Sequence, residues 1–370
     1  MNTKPQCLVD NTPGRLAQIA SNTPASYFGM VLGLAGLGNA WRGASRAWQV
    51  PEFIAEWIYV IAGVVWAVLV VLYILKAVLA PAKLMEEAAH PVQCCFIGLA
   101  GVSTTLIAGG LIPHSQLGAS IVFAIGSIFT LLFAVWRTGG LWKGERDHAN
   151  TTAVLYLPTV AGSFVFANVV SALGYPDWGQ FAFGAGLFSW LAIESVLLHR
   201  LLIGPMNPAP LRPTLGIQLA PAPVGAVAYI AISGGEPDIF VHALIGYGIL
   251  QLLVMARLSP WIAQAGAVPG LWAFSFGATA IAAAPALLIA NGDHGAISIL
   301  APLLFVVANL VIVGLTVMTL SLLLSGKMFA LPQRTEIRGE VSRTSSLNPP
   351  SGLHSDMYTS EISPPPEVTT

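Results

Sequence analysis

Charged residues are scarce in this sequence. Asp, Glu, Lys and Arg make up 9% of the 370 residues, whereas a typical soluble domain carries roughly 25%. Hydrophobic residues make up 55%, and the two figures together predict an integral membrane protein. The formal net charge is −1 and the sequence has no long basic run, so we expect no nucleic-acid partner.

Cysteine is rare and catalytic motifs are absent. Cys7, Cys94 and Cys95 lack metal-ligand spacing, and a strained disulfide between the adjacent pair is not expected in an apolar segment. No Ser-His-Asp, zinc-spaced or phosphate-loop pattern occurs. We therefore predict no enzyme activity, no metal and no cofactor. The first 25 residues lack the apolar core of a cleaved signal peptide, so the first spanning helix is expected to direct insertion.

Long apolar runs are what the sequence has in abundance. A spanning helix needs about 20 mostly apolar residues, and in lipid such segments form helical bundles. We predict an all-α membrane protein with ten transmembrane helices. Their predicted extents are 26–42, 54–76, 91–111, 117–136, 153–174, 178–198, 214–233, 238–256, 268–290 and 297–325.

The distribution of basic residues predicts the orientation. With ten spans and the N-terminus inside, only Arg42 and Arg46 fall outside, which leaves 14 of the 16 basic residues on the inner side. This split follows the positive-inside rule and predicts that both termini are cytoplasmic. We divide the chain into an N-terminal cytoplasmic segment (1–25), a membrane domain (26–326) and a polar, Ser/Pro-rich tail (327–370) that is expected to be disordered.

The odd-numbered segments differ from the even-numbered ones. They begin near residues 26, 91, 153, 214 and 268, and this spacing suggests five repeats of a helical hairpin. Prolines and glycines concentrate in the odd segments, and segments two, four, six and eight have no interior proline. Because a proline in lipid needs cover for the backbone groups that it frees, we predict that the odd helices lie inside and surround a pore.

Candidate pore residues lie on these odd segments. Phe274 and Phe276 point to nearly opposite sides of a helix, so only one can face the centre. Phe276 is favoured because the next residue, Gly277, is expected to leave space beside its ring, and because Thr279 places a hydroxyl one turn on, on the same side. The alternative is that both rings simply pack between helices. The predicted lining consists of small, bend-forming and uncharged polar residues: Gly29, Gly33, Gly36, Thr104, Thr105, Pro158, Thr159, Asn168, Gln218, Pro221 and Thr279.

Glu194 is the clearest acidic residue at membrane depth. Ionisable groups at this depth are functional candidates and need a partner or a proton. Glu194 lies on an even segment, which favours a structural hydrogen bond, with a proton-binding site as the alternative.

Several motifs resemble the TehA tellurite-resistance and C4-dicarboxylate transporter family, which also includes plant slow-type anion channels. The motifs are YFG (27–29), GLAG (33–36), AW (40–41), LYLPTV (155–160), GAGLFSWL (184–191), LGIQLAPA (215–222) and WAFSFG (272–277). The resemblance spans residues 24 to 328 and is closest to the bacterial TehA branch. One departure is that Met30 and Val31 stand where many relatives have a proline.

The resemblance implies a quasi-fivefold arrangement of five hairpins around a central pore, a homotrimer with one pore per protomer, and a helix-nine phenylalanine gate. That gate would be Phe276, or alternatively Phe274. We expect a multi-pass protein of the bacterial inner membrane that passes halide, nitrate, dicarboxylate or oxyanions. The alternatives are a proton-coupled C4-dicarboxylate carrier using Glu194, and a receptor or scaffold that acts through its tail.

Overall fold

All regular elements of the described chain are helical. The computed structural model describes residues 15–144 and 146–329. The α-helices in chain order are α1 (Arg15–Ser21), α2 (Phe28–Trp48), α3 (Phe53–Leu79), α4 (Pro81–Ala89), α5 (Leu99–Leu111), α6 (Gln116–Leu141), α7 (Gly162–Ala172), α8 (Pro176–Ile203), α9 (Pro221–Ile232), α10 (Ile239–Ile262), α11 (Ser275–Ala290) and α12 (Ala296–Leu324).

Five segments, which we call the inner segments, start as tighter helix and continue as α-helix. The 3₁₀ stretches Ala25–Tyr27, Gln93–Gly98, Ala153–Leu155, Ala209–Leu219 and Pro269–Phe274 precede α2, α5, α7, α9 and α11, respectively. A π-turn, Leu157–Ala161, also precedes α7. Proline supports such starts because it lacks the N–H that a first turn leaves unpaired, as at Pro221 and Pro269. These segments correspond to the odd-numbered runs of the sequence.

The outer helices are α3, α6, α8, α10 and α12, each a single continuous α-helix. Burial separates them from the inner segments. In the inner segments that contain α5, α7, α9 and α11, the most apolar stretch is 67 to 83% buried, compared with 11 to 33% in the outer helices. The exposed faces of the outer helices carry large apolar side chains, such as Val64, Leu132 and Leu303. Such surfaces are suited to lipid contact rather than to water.

Nine helical segments in the described residues are long and apolar enough to cross a membrane. They are four inner segments and the five outer helices. α2 is not among the nine, since it is rich in glycine and carries Arg42 and Arg46. It lies inside the bundle nonetheless, with twelve of its residues buried.

Several boundaries differ from the sequence predictions. α2 runs to Trp48 rather than ending at 42, and α4 is an additional short helix between the second and third spans. α10 continues to Ile262 and contains Pro260, so this outer helix is not free of proline.

The N-terminal segment and the tail lie largely outside the described residues, which exclude 1–14 and 330–370. The part of the predicted tail that is described is packed against the bundle. Met328 is buried, its carbonyl accepts a hydrogen bond from the Tyr27 hydroxyl, and the Phe329 ring meets the Tyr27 ring edge-on at 6.2 Å. Residues 327–329 therefore belong structurally to the membrane domain.

Candidate pore

All five inner segments enclose a cavity of about 470 Å³ at the end of the bundle where they begin. We call this cavity the vestibule. Each segment contributes lining residues from its first turns, for example Gly29, Phe96, Leu157, Pro221 and Trp272. The tight helical starts thus place the beginnings of five segments around one space.

A second, much smaller cavity of about 20 Å³ lies deeper along the same segments. Its volume is on the order of one water molecule. All five inner segments line it as well, through residues that include Asn39, Leu106, Asn168, Val227 and Ala283. Two amides, Asn39 and Asn168, are the polar side chains in this narrow space.

Phe276 and Val224 line both cavities. The Phe276 ring therefore forms part of the partition between the vestibule and the small cavity. On its α2 side the ring meets backbone, since a Cβ added at Gly36 would lie 3.3 Å from the ring Cδ2. The partition is apolar and includes Val224 on α9 and Phe276 on α11.

Phe274 faces a different part of the molecule. Its ring packs with Leu215, Met255 and Ile262, and a Cβ added at Gly216 would lie 2.5 Å from its Cδ2. It lines neither cavity of the described chain. The two rings diverge because residues two apart on a helix differ by about 200°.

Four of the other predicted lining residues border the cavities. Gly29 and Pro221 line the vestibule, and Gly36 and Asn168 line the small cavity. The remaining predicted residues line neither cavity: Gly33, Thr104, Thr105, Pro158, Thr159, Gln218 and Thr279.

Gly33 and Gly36 bring α2 close to α11. A Cβ at Gly33 would lie 2.5 Å from the Ser275 Cβ, and one at Gly36 would lie 2.3 Å from the Thr279 Oγ1. Gly277 has a similar role toward the seventh span, since its Cβ would lie 2.8 Å from the Leu219 carbonyl carbon. These glycines therefore allow close packing of helices rather than leaving space beside the ring.

The predicted hydroxyls bond within helices instead of facing the passage. Thr104 Oγ1 donates to the Ala100 carbonyl and accepts from the Trp66 indole at 2.9 Å. Thr105 Oγ1 donates to its own helix, and so does Thr279 Oγ1, which reaches the Ser275 carbonyl at 3.0 Å. Serine and threonine readily bond to the carbonyl one turn back, and a sequence does not reveal when they do so. Pro158 is buried in the π-turn and Thr159 is half-buried there.

Glu194 ties four spans together. Its carboxylate accepts hydrogen bonds from Tyr156, Trp190 Nε1 (2.9 Å), Gln218 Nε2 (2.8 Å), Tyr247 and Gln251 Nε2 (3.4 Å). Glu194 itself lines neither cavity, whereas Tyr156 contributes to the vestibule wall. The arrangement accounts for Gln218, which bonds to this carboxylate, and gives Glu194 a structural role in joining the third and fourth hairpins.

Sequence reasoning missed Val224 as a lining residue. A valine in an apolar segment carries no polar signal. Its spacing from Pro221 was the available clue, because residues three apart on a helix share a face, and both line the vestibule.

The lining of both cavities contains no Asp, Glu, Lys, Arg or His from the described chain. Nor do three or more His, Cys, Asp or Glu residues gather there or elsewhere in the described chain as a metal site would require. An uncharged passage can offer hydrogen bonds to an anion without binding it so tightly that release fails.

The family model for SLAC1, described as voltage-dependent anion channel, matches residues 22–320. The chain belongs to the SLAC1 family. Every residue that lines the two cavities lies within the matched region. SLAC1-family proteins are membrane channels and transporters rather than enzymes.

Individual relatives agree with the family assignment. The tellurite resistance protein TehA homolog of Haemophilus influenzae is 38% identical over 308 residues, which cover 83% of this chain and 92% of the relative. The uncharacterized transporter MJ0762 of Methanocaldococcus jannaschii is 24% identical over 69% of this chain and 81% of its own length. The S-type anion channel SLAH3 of Arabidopsis thaliana is 25% identical over 57% of this chain and 34% of its own length. The protein is thus a membrane anion channel or transporter of the TehA type.

Proposed function

We propose that this protein conducts small anions through the vestibule and the small cavity, and that the Phe276 ring closes the path between them. The observation that carries the proposal is that Phe276 lines both cavities, each of which is built from all five inner segments. Phe274, the alternative gate, packs away from both. An apolar ring at a narrow point stops ions because it offers no substitute for their hydration shell.

We further propose that α2 is the tenth spanning helix and that the five hairpins form a quasi-fivefold ring. α2 has 21 residues, or about 31 Å at 1.5 Å per residue, which matches a hydrocarbon core of about 30 Å. The five 3₁₀ starts and the alternation of buried and exposed spans support a repeat of one hairpin. Ten spans, together with the positions of the basic residues, support cytoplasmic placement of both ends.

The resemblance to the TehA branch supports an inner-membrane location and a homotrimer with one pore in each protomer. The passage proposed here lies within one chain, so conduction does not require a neighbouring subunit. Mass measurement of the intact protein in mild detergent tests the trimer directly. A monomer under conditions that preserve activity would exclude it.

Halide, nitrate, dicarboxylate and oxyanions are the proposed permeants. Because the lining holds no fixed cation, an anion must give up water without strong compensation, and anions that are easily dehydrated should pass best. An anion-substitution series in proteoliposomes tests this proposal. Permeability should rise from chloride to nitrate, and a protein that passes cations equally well would not be an anion channel.

The same proteoliposomes distinguish a channel from a proton-coupled carrier. We expect the reversal potential to follow the anion gradient alone, since Glu194 lines neither cavity. A shift with the proton gradient at a fixed anion gradient would favour the carrier. Deletion of residues 330–370 should leave conduction intact, whereas its loss would favour a protein that acts through its tail.

A further inference from the structure

Two arginines come together beside the third and fourth spans, outside the passage. Arg137 lies in the last turns of α6, and Arg146 lies in the loop that follows it. Both guanidinium groups are near the buried thiols of Cys94 and Cys95 in the 3₁₀ start of the third span. The cluster lies at the same end of the bundle as the vestibule mouth, because α5 and its neighbours begin there.

The two like charges have no acidic partner in the described chain. Neither arginine takes part in any of the ion pairs found there, which involve Arg42, Lys76, His114 and His242 instead. Burial, and also the nearby charge of Arg137, lowers the pKa of Arg146. Two cations held close together favour an anion between or beside them.

The donors of the cluster are also incompletely used. The Nε–H groups of Arg137 and Arg146 are both buried and have no hydrogen-bond acceptor in the described chain. Arg146 uses one Nη2 donor for the Asn150 carbonyl. The Arg137 side chain also reaches the Cys95 sulfur, but a thiol is a weak acceptor that does not replace a negatively charged oxygen. Asp147 is exposed and accepts from the Ala149 backbone N–H, and Glu145 lies outside the described residues.

The surroundings of the cluster are those of a membrane surface. Trp136 is 57% exposed and Trp142 is 85% exposed, one on each side of the end of α6. The preceding turns of α6 expose Leu131, Leu132 and Val135. Tryptophan is enriched at the level of lipid headgroups, while aliphatic residues face the acyl chains. An anion at this position is therefore next to lipid rather than next to the pore.

We propose that Arg137 and Arg146 bind the phosphate of an anionic phospholipid headgroup. Arginine suits this role because its planar fork of donors matches phosphate oxygens. Basic pockets beside transmembrane helices bind lipid headgroups in the same manner. The bound lipid holds the end of α6 against the start of the third span and neutralises the two charges. This site is separate from the conduction path and does not depend on it.

Native mass spectrometry of the intact protein in neutral detergent tests the proposal. Wild type and variants are supplied with phosphatidylglycerol, phosphatidylcholine or inorganic phosphate. Wild type should retain phosphatidylglycerol in preference to phosphatidylcholine. The Arg137→Gln/Arg146→Gln variant should bind it about 30-fold more weakly (about 2 kcal/mol), at about 1 kcal/mol per basic residue. Arg257→Gln removes an exposed arginine on α10 and should bind like wild type.

The Arg137→Lys/Arg146→Lys variant retains both charges and should recover part of the binding, which separates loss of the site from loss of the fold. Three results would overturn the proposal. The double glutamine variant could bind phosphatidylglycerol as tightly as wild type. Inorganic phosphate could bind as tightly as the lipid, which would make the ligand a soluble anion. Phosphatidylglycerol could bind only to a Glu145→Gln variant, which would mean that the Glu145 carboxylate pairs with the two arginines in the native chain.

Discussion

Phe276→Ala is expected to raise anion conductance strongly. The substitution removes the aromatic ring that lies between the two cavities. Its loss connects the vestibule of about 470 Å³ to the narrow space beyond it. Forcing an anion past an apolar ring strips part of its hydration, which costs several kcal/mol. Each 1.4 kcal/mol or so removed from the barrier raises the rate of passage tenfold. Recovery of about 3 kcal/mol therefore predicts an increase on the order of 100-fold.

The assay is anion current across a planar bilayer, or anion flux from proteoliposomes, at equal protein density. Phe274→Ala is the matched control, because it removes the same ring from a half-buried position two residues away that borders neither cavity. Both variants should lose stability to a similar extent, by about 3 kcal/mol or less, since neither ring is fully buried. Equal, low currents from wild type and Phe276→Ala would refute the gate, and a rise confined to Phe274→Ala would move it there.

Three further predictions concern packing and charge. Gly277→Ala should lower the melting temperature, because the added Cβ would meet backbone at 2.8 Å and overpacking costs about 1–3 kcal/mol. Gly314→Ala is the control: open space surrounds this position, and the better helix propensity of alanine should raise the melting temperature. Lys76→Met should cost about 3–5 kcal/mol of unfolding free energy, because it leaves the buried Glu87 carboxylate without its partner. Hydrogen bonds from the Tyr229 hydroxyl and, to a smaller extent, from the Val241 backbone N–H hold the pKa of Asp238 below its usual range. The ionised Asp238 therefore stabilises the fold at neutral pH, and this contribution is lost as the pH falls below about 4.

Thermal denaturation in detergent measures all three. Equal responses of the two glycine variants would contradict the close packing of α11. A neutral effect of Lys76→Met would mean that water reaches the ion pair. For the third, the difference in melting temperature between wild type and Asp238→Asn should shrink in acid, and a constant difference from pH 7 to pH 3 would contradict the assigned cause.

The alternation of spans was predictable from sequence because it depends on where prolines and glycines fall. Pro158, Pro221 and the glycines of α2 mark segments that need protein on every side, and these segments are buried in the structure. Helix geometry predicted that the Phe274 and Phe276 rings diverge, whereas the choice of Phe276 rested on Gly277 and Thr279, which pack against other helices or bond within their own helix. That assignment as a gate remains a prediction for the conductance assay.

The directions of the hydroxyl groups could not be predicted in this way. Thr104, Thr105 and Thr279 are each satisfied by their own helix, and a sequence gives no measure of that competition. Gln218 bonds to Glu194 on the preceding span, and the sequence does not show which faces of two neighbouring spans meet. The helix α4 has only nine residues, which is too short for a pattern of apolar residues to predict it.

In the proposed channel, the bare backbone of α2 beside the Phe276 ring limits how the path can open. At Gly36 no side chain exists that could swing aside, and the main chain there is pressed against Thr279. The ring must therefore turn about its own side-chain bonds, or α11 must tilt at its junction with the 3₁₀ stretch that ends at Phe274. A turn of the ring alone would leave the outer helices where they are, whereas a tilt of α11 would also move its packing against α12.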